Sequence, residues 1–310
     1  MSYLINFTSL PQSNFLYGGN AGLKRGVIYD NEKWLIKFPQ ETSSFEKVDI
    51  SFTTSPLSEF VGSHIYEILG YKVHETVLGT FYNEKAKRTQ LVVACKDFTD
   101  NDNLKLVDYE SIKNSYSNEL QLKLIELRER LPKYKTNGFI AYTLPIEEII
   151  LQFKQNSIFT NCPQAKSLFW EMLIIDCLIN NNDRNKNNWG LLFNNNSGKY
   201  SSAPIYDNGA SFVTKHTDEK LQKLLRNESA LENSALNGMC YYTVGNELLN
   251  FKNFFRKLKE NNLDFDFKIA VKTVVPLIER NGETLLLSLT IFHLKNEMSK
   301  LLVTYKRNSL

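Results

Sequence analysis

The stretch that decides the fold reads D-C-L-I-N-N-N-D-R-N-K-N-N-W-G-L-L-F over residues 176–193 and, after a turn that contains glycine, K-Y-S-S-A-P-I-Y-D-N-G-A-S-F over residues 199–212. It places Asp183 five residues before Asn188, and Asp207 beyond a short hairpin. An aspartate can orient a hydroxyl nucleophile, while an asparagine and a second aspartate can hold Mg²⁺ over nucleotide phosphates. The pattern therefore predicts a site of ATP-dependent phosphoryl transfer.

The sequence around these residues supports the pattern, which would carry little weight alone in a chain this rich in asparagine. Apolar residues recur at helical spacing immediately before the loop, and residues 191–193 and 200–205 have the composition of two short strands. Asp207 follows an apolar pair and precedes Gly209, which suits a carboxylate at the end of a buried strand beside a flexible turn. This order of elements favours a catalytic loop over a solvated one.

A glycine-rich segment near the N-terminus supplies a second part of such a site. It reads Y-G-G-N-A-G-L-K over residues 17–24 and precedes two strand-like segments, 26–29 and 34–39. Because glycine has no Cβ, backbone N–H groups can approach phosphate oxygens closely here. An ordinary hairpin turn is the alternative. The positions expected to contact the nucleotide are Gly18, Gly19, Asn20 and Gly22.

Lys37 lies among apolar neighbours in the second of these strands, where an unpaired ammonium would be costly to bury. Its best candidate partner is Glu59, in the first turns of a helix that begins at Ser55-Pro56 and ends near Leu69. A glutamate on that helix can aim the ammonium at the α and β phosphates. The alternative is that Glu59 only favours the helix N-terminus through the helix dipole.

Two further strands are predicted at residues 73–81 and 90–96, separated by a charged turn. The second leads into polar sequence, which is the position of the hinge that holds adenine in kinases. We therefore expect backbone groups of Ala94 and Lys96 to face adenine.

The chain resembles the HipA-like serine/threonine kinases, most closely the compact CtkA-type branch of bacterial secreted kinases. The matching segments over residues 17–212 are G-G-N-A-G, L-I-K-F-P, S-E-F-V-G-S-H-I, L-G-T-F, V-V-A-C-K-D-F, N-N-N-D-R-N-K-N-N-W-G and A-P-I-Y-D-N-G. The resemblance implies that Lys37 contacts the ATP phosphates and that Asp183 is the catalytic aspartate. It also implies that Asn188 and Asp207 bind Mg²⁺.

Two positions depart from the family pattern. Family members often have histidine two residues after the catalytic aspartate, where this chain has Asn185. HipA toxins also commonly carry a serine in an S-x-x-G-x-Q loop whose phosphorylation silences the enzyme, whereas residues 17–26 contain neither serine nor threonine. Autoinhibition through a loop serine is therefore not expected. The acceptors expected for any autophosphorylation are Ser43, Ser44, Thr53, Thr54, Ser211 and Thr214.

These features predict an α+β fold of the bilobal, protein-kinase-like (HipA-like) type. Residues 1–98 would form a small lobe with an antiparallel sheet and one helix, and residues 99–310 a larger, mainly helical lobe with the catalytic loop. From Asp218 onward, helical spacing predicts helices alone. A chain of 310 residues with 42% hydrophobic content suits one catalytic unit. We expect no counterpart of the N-terminal subdomain of full-length HipA proteins before the glycine-rich loop, and we expect a separate chain to supply it if it is needed.

Charge and composition limit the partners. The formal net charge of +3 is small and dispersed, which argues against direct nucleic-acid binding. The four cysteines are widely spaced, so neither a disulfide framework nor a metal centre on cysteine is expected. No apolar run approaches the ~18 residues of a membrane span, and no signal peptide is recognisable. We expect a cytoplasmic protein that does not bind membranes, with delivery into a host cell left open by the resemblance to secreted kinases.

The function that follows is transfer of the γ-phosphoryl group of Mg·ATP to a serine or threonine hydroxyl of a protein substrate. The enzyme would be either a toxin, partnered by an antitoxin or a subdomain-like protein, or a secreted effector acting on host proteins. The alternative from another class is a nucleotide-binding scaffold or pseudokinase that acts by protein interaction, for which the asparagine at position 185 is the support.

Overall fold

A computed structural model describes residues 4–13, 23–43, 45, 48, 50–84, 87–99, 103–131, 143–212 and 214–285. The predicted nucleotide contacts in the glycine-rich loop, which are Gly18, Gly19, Asn20 and Gly22, lie outside these residues.

The N-terminal part contains a five-stranded sheet. Its strands are β1 (Ile5–Asn6), β2 (Lys24–Tyr29), β3 (Glu32–Lys37), β4 (Thr76–Asn83) and β5 (Arg88–Lys96). They lie in the order β1-β4-β5-β3-β2, and all pairs are antiparallel except that of β1 with β4. Asp30 and Asn31 make the turn between β2 and β3 with φ of 53° and 62°, the left-handed conformation that suits a tight hairpin. The ends of β2 to β5 agree with the predicted strands to within three residues.

The two faces of this sheet differ because side chains alternate along a strand. One face buries an aromatic and aliphatic cluster that includes Trp34 and Ile36. Lys37 points to the other face, which packs against helix α1 (Ser55–Ile68). Gly70, at φ 85°, follows the end of α1 in a left-handed conformation that favours glycine. The helix predicted from Ser55 is therefore present, and it lies beside Lys37.

The rest of the described chain is mainly helical. Its helices are α2 (Tyr109–Lys113), α3 (Asn118–Arg130), α4 (Ile146–Gln155), α5 (Ser157–Thr160), α6 (Gln164–Leu178), α7 (Asp218–Leu225), α8 (Glu228–Leu236), α9 (Phe251–Glu260) and α10 (265–285). Helix α6 lies in the main hydrophobic core, where Phe169, Trp170 and Leu173 are buried. Within the described ranges, no helix is long and apolar enough to cross a membrane.

Two small sheets complete this part. β6 (Leu104–Asp108), β8 (Gly190–Asn194) and β9 (Lys199–Ser202) form an antiparallel sheet, and β7 (Leu144–Pro145) pairs in parallel with β10 (Tyr242–Thr243). The hairpin of β8 and β9 was predicted, whereas β6 was not. The expectation of helices alone after Asp218 is wrong at β10, because a strand of two residues has no periodicity that a sequence can reveal.

Strand β8 holds the end of the predicted catalytic loop in place. A Cβ added to Gly190 would lie 2.2 Å from the carbonyl oxygen of Val107, so only glycine permits this close pairing with β6. The observed architecture confirms the predicted α+β fold, with an antiparallel-rich N-terminal sheet and a helical C-terminal region.

Candidate active site

Three distant segments meet at the side chain of Lys37. The Lys37 ammonium donates to Glu59 Oε2 on α1 at 2.7 Å and to Asp207 Oδ1, in the loop after β9, at 2.8 Å. The Glu59 side chain is 1% exposed and that of Asp207 is 37% exposed. The ammonium is therefore fixed by a buried carboxylate on one side and an accessible carboxylate on the other.

The Glu59 carboxylate has more partners than the sequence predicted. Its Oε1 atom accepts the backbone N–H of Asn208 at 2.9 Å and lies 2.9 Å from His74 Nε2. Although burial opposes its ionisation, Lys37 and His74 hold the pKa of Glu59 well below its ordinary value. Burial likewise opposes the charge of Lys37, yet Asp207 and Glu59 raise the pKa of Lys37 well above its ordinary value. The pair is ionised, and Glu59 does more than favour a helix N-terminus.

The loop that carries Asp183 is held by its own asparagines. Asn185 donates its side-chain amide to Asp183 Oδ1 at 3.1 Å, and Asn188 donates its amide to the Asp183 carbonyl oxygen at 2.6 Å. The Asp183 N–H donates to Asn181 Oδ1 at 3.3 Å. Burial, and next the charge of Asp207, raise the pKa of Asp183 above its ordinary value. The asparagine at the family's histidine position thus contacts the predicted catalytic carboxylate directly.

The two predicted metal ligands lie on neighbouring backbone segments. One guanidinium nitrogen of Arg184, Nη1, donates both to the Asn188 carbonyl oxygen at 2.7 Å and to that of Tyr206, the residue before Asp207. Asp207 has φ of 60°, a left-handed conformation that aspartate and asparagine tolerate better than most residues. A carboxylate and an amide oxygen are the donor types that Mg²⁺ prefers. The donor set at Asn188 and Asp207 therefore fits this ion.

Arg184 is the centre of a buried network that the sequence analysis missed. Its side chain is 2% exposed and donates to Asp176 Oδ2 at 2.8 Å and to Asn208 Oδ1 at 2.6 Å. Asp176 also accepts the hydroxyl of Tyr66 on α1 at 2.9 Å. The available signal was Asp176 itself, because a carboxylate inside the apolar helix α6 requires a buried partner. Through these contacts α1, α6 and both loops of the site are connected.

The side-chain amide of Asn208 makes a second contact that the sequence did not predict. Its side-chain amide donates to Ser63 Oγ at 3.0 Å, and that hydroxyl lies 3.1 Å from His74 Nε2. His74 is 5% exposed and is held between Ser63 and Glu59. The residue after Asp207 is thus anchored to α1 through both its backbone and its side chain.

Part of the backbone at the end of β5, where the adenine contacts are predicted, is used by the sheet. The Lys96 N–H donates to the Glu75 carbonyl oxygen at 2.9 Å, so this donor is used within the sheet, and the adenine contacts of Ala94 and Lys96 stay predictions. The reason is that β5 is a central strand, and Ala94 lies between Ile36 of β3 and Val77 of β4. The Asp97 N–H also donates, to the Lys33 carbonyl oxygen of β3 at 2.9 Å, so pairing with β3 continues one residue beyond the end of β5.

Comparison with known proteins places the chain in a family. No family model matches the sequence. The chain is 36% identical over 211 residues to the serine/threonine-protein kinase CtkA of Helicobacter pylori, an alignment that covers 68% of this chain and 56% of that protein. The fold matches a crystal structure of the H. pylori proinflammatory kinase CtkA with a TM-score of 0.70 and 31% identity, over 89% of this chain and 83% of that one.

A more distant structural likeness extends the comparison. The toxin–antitoxin complex of HipA, HipB and operator DNA from Shewanella oneidensis matches with a TM-score of 0.50 and 10% identity, over 93% of this chain and 67% of that one. An identity this low shows a shared fold alone. The fold is therefore of the HipA type, and by its identity and coverage against CtkA the chain belongs to the CtkA-like serine/threonine kinase family.

Proposed function

We propose that this protein transfers the γ-phosphoryl group of Mg·ATP to a serine or threonine hydroxyl of a protein, including its own chain. The observation that carries the proposal is the Lys37 ammonium, held at 2.7 Å by Glu59 and at 2.8 Å by Asp207. The alignment with CtkA spans 56% of that protein. The geometry of this chain and its family membership together support the activity.

Lys37 binds and orients the phosphates in this proposal. Its ammonium stays charged because two carboxylates flank it, and Glu59 is too deeply buried to follow a ligand. The ion pair with Glu59 therefore holds the Lys37 ammonium on its buried side. Asp207 is exposed and lies on the side from which the nucleotide would approach. Such fixed positive charge neutralises the phosphates without reorganisation during the reaction.

Asp183 orients the acceptor hydroxyl and takes its proton late in the reaction. Asn185 holds Oδ1 of this carboxylate at 3.1 Å, which keeps one rotamer of Asp183 in place. The raised pKa of Asp183 also makes it a better proton acceptor than an ordinary aspartate. These features support a catalytic role over the scaffold alternative, because a binding protein has no need to position this group.

Asn188 and Asp207 would hold Mg²⁺, which when bound would neutralise charge on the phosphates. Arg184 holds the two backbone segments together, because it donates to the carbonyl oxygens of both Asn188 and Tyr206. Toxin and secreted effector would use this same chemistry and differ in the acceptor protein. Labelled proteins in bacterial and host lysates distinguish the two.

The experiment is incubation of the purified chain with labelled ATP and Mg²⁺, followed by mass spectrometry of the modified proteins. Asp207→Asn is the matched variant, because asparagine tolerates the left-handed backbone at this position and keeps the shape of the side chain while it removes the charge and one acceptor oxygen. We expect labelled serine or threonine with the natural chain and a loss of at least a hundredfold with Asp207→Asn. Wild-type turnover in the variant would contradict the metal site, and an absence of transfer in every lysate would favour the scaffold.

A further inference from the structure

A second lysine lies directly opposite Lys37 in the N-terminal sheet. Lys24 is the first residue of β2, and its partner on β3 is Lys37. The Phe38 N–H donates to the Leu23 carbonyl oxygen at 3.1 Å, so that neighbouring pair is hydrogen-bonded and the Lys24–Lys37 pair is not. In a pair of this kind the Cα atoms are about 4.5 Å apart and both side chains lie on one face of the sheet. Lys24 therefore shares the face that carries the candidate site.

This arrangement is unfavourable unless negative charge lies nearby. Like charges directly opposite each other destabilise an antiparallel pair. Lys24 is also partly buried, and this burial lowers its pKa below the ordinary value. Asp207 is the strongest opposing charge and Glu59 a weaker one, while Lys37 adds to the lowering. The negative charges that favour the Lys24 ammonium are therefore those of the candidate site.

A role in protecting the edge of the sheet does not explain the position of Lys24. β2 is the edge strand of the sheet, and exposed lysines on such strands deter pairing with other chains. Lys24 is instead partly buried on the inner face, within the electrostatic reach of three site residues. Two ammonium groups on one face of neighbouring strands suit a ligand with several negative charges.

We propose that Lys24 is a second cation that contacts the polyphosphate of the bound nucleotide. The inference rests on the proposed phosphoryl-transfer function and adds a binding residue to it. The ligand class is a nucleotide with at least two phosphates, because the ammonium groups of Lys24 and Lys37 come from neighbouring strands and would flank a chain of phosphates.

The test is the affinity of the full chain for adenosine, ADP and ATP, measured by calorimetry for the natural protein and its variants. Lys24→Met removes the charge, and Lys24→Arg keeps it. Lys33→Met is the matched control, because Lys33 lies on the same face of β3, opposite Ile28 and about 13 Å along the strand from Lys37. Lys24→Met would remove a hydrogen bond between charged groups, so we expect the affinity for ATP to fall about tenfold or more. Adenosine affinity should stay unchanged, Lys24→Arg should retain most of the ATP affinity, and Lys33→Met should bind all three ligands as the natural protein does.

The possible outcomes separate the inference from the function on which it rests. If the natural chain binds ATP and Lys24→Met binds it equally well, the inference is wrong and the proposed function stands. Equal losses for adenosine and ATP would also overturn it, because they indicate a structural role. A natural chain that binds no nucleotide overturns both. Urea unfolding checks that each variant is folded, and Lys24→Gln replaces Lys24→Met if the methionine variant is not.

Discussion

Replacing Glu59 by glutamine would test the ion pair on which the site depends. Glutamine keeps the shape of the side chain but removes the charge, and it turns one of the two acceptor oxygens into a donor. Glu59 Oε2 accepts from Lys37 and Oε1 accepts from the Asn208 N–H, so one of these donors would lose its acceptor. We therefore expect a lower free energy of unfolding and a misaligned Lys37 ammonium.

The size of the effect follows from the contact distance. At 2.7 Å and an effective dielectric constant near 20, the attraction between Lys37 and Glu59 is about 6 kcal/mol before desolvation is subtracted. Removing one partner of a buried pair costs about 3–5 kcal/mol. Asp207 would still pair with Lys37, so we expect a loss of about 3 kcal/mol in the free energy of unfolding. A misaligned ammonium should lower the phosphoryl-transfer rate by about tenfold to a hundredfold.

Urea unfolding followed by tryptophan fluorescence measures the first quantity, since Trp34 lies in the N-terminal sheet and Trp170 and Trp189 lie in the helical region. Initial rates of transfer from labelled ATP measure the second. Glu148→Gln is the matched control, because Glu148 is also buried and accepts two hydrogen bonds from Arg128, at 2.8 and 2.7 Å.

The control should lose stability and keep its transfer rate. The reasoning is refuted if Glu59→Gln loses less than about 1 kcal/mol of stability, or if its rate falls no further than that of Glu148→Gln.

Substitutions at two other positions test the proposed catalytic loop. Asp183→Asn should lower turnover at least a hundredfold while ATP affinity is retained, and calorimetry beside a transfer assay separates the two. Because the folded-state pKa of Asp183 is raised, its ionised form costs stability above that pKa, and the cost disappears as pH falls through it. The asparagine variant should therefore unfold at a higher urea concentration than the natural protein at neutral pH, and a lower midpoint would contradict the raised pKa. For the same reason the natural enzyme should lose activity as pH falls through the pKa of Asp183. Asn185→Ala should lower kcat about tenfold without raising the KM for ATP, because the substitution frees the Asp183 carboxylate and this contact is the role we assign to Asn185. Asn185→His should restore much of the rate, and an alanine variant with an unchanged kcat would remove the positioning role.

The ion pair between Lys37 and Glu59 could be predicted because the residues around each partner in the sequence are enough to suggest it. An ammonium in an apolar strand requires an acidic partner, and the next helix offered Glu59 in its first turns. The roles of Arg184 and Asn208 could not be read in the same way, because both lie in an asparagine-rich stretch where any polar side chain could be solvated. The partner of the Asn208 N–H is also remote in sequence, because Glu59 lies 149 residues away.

The use of the Lys96 N–H within the sheet could not be predicted, for a related reason. Alternation of apolar residues predicts that a strand exists, but not which strands flank it. Only the observed order β4-β5-β3 shows that the Lys96 N–H is already used by the sheet. The contacts predicted for the glycine-rich loop lie outside the described residues and stay predictions.

The contact between Lys37 and Asp207 should couple the binding of nucleotide to the binding of a divalent cation. At 2.8 Å, the ammonium competes with any divalent cation for Asp207 Oδ1. Phosphate oxygens would offer Lys37 another partner and release this carboxylate, so the affinity for the cation should rise when nucleotide is present. By thermodynamic reciprocity, the cation should then raise the affinity for nucleotide by the same factor. Lys37→Met, which removes the competitor, should bind Mn²⁺ more tightly than the natural protein when no nucleotide is present, even though it transfers no phosphate.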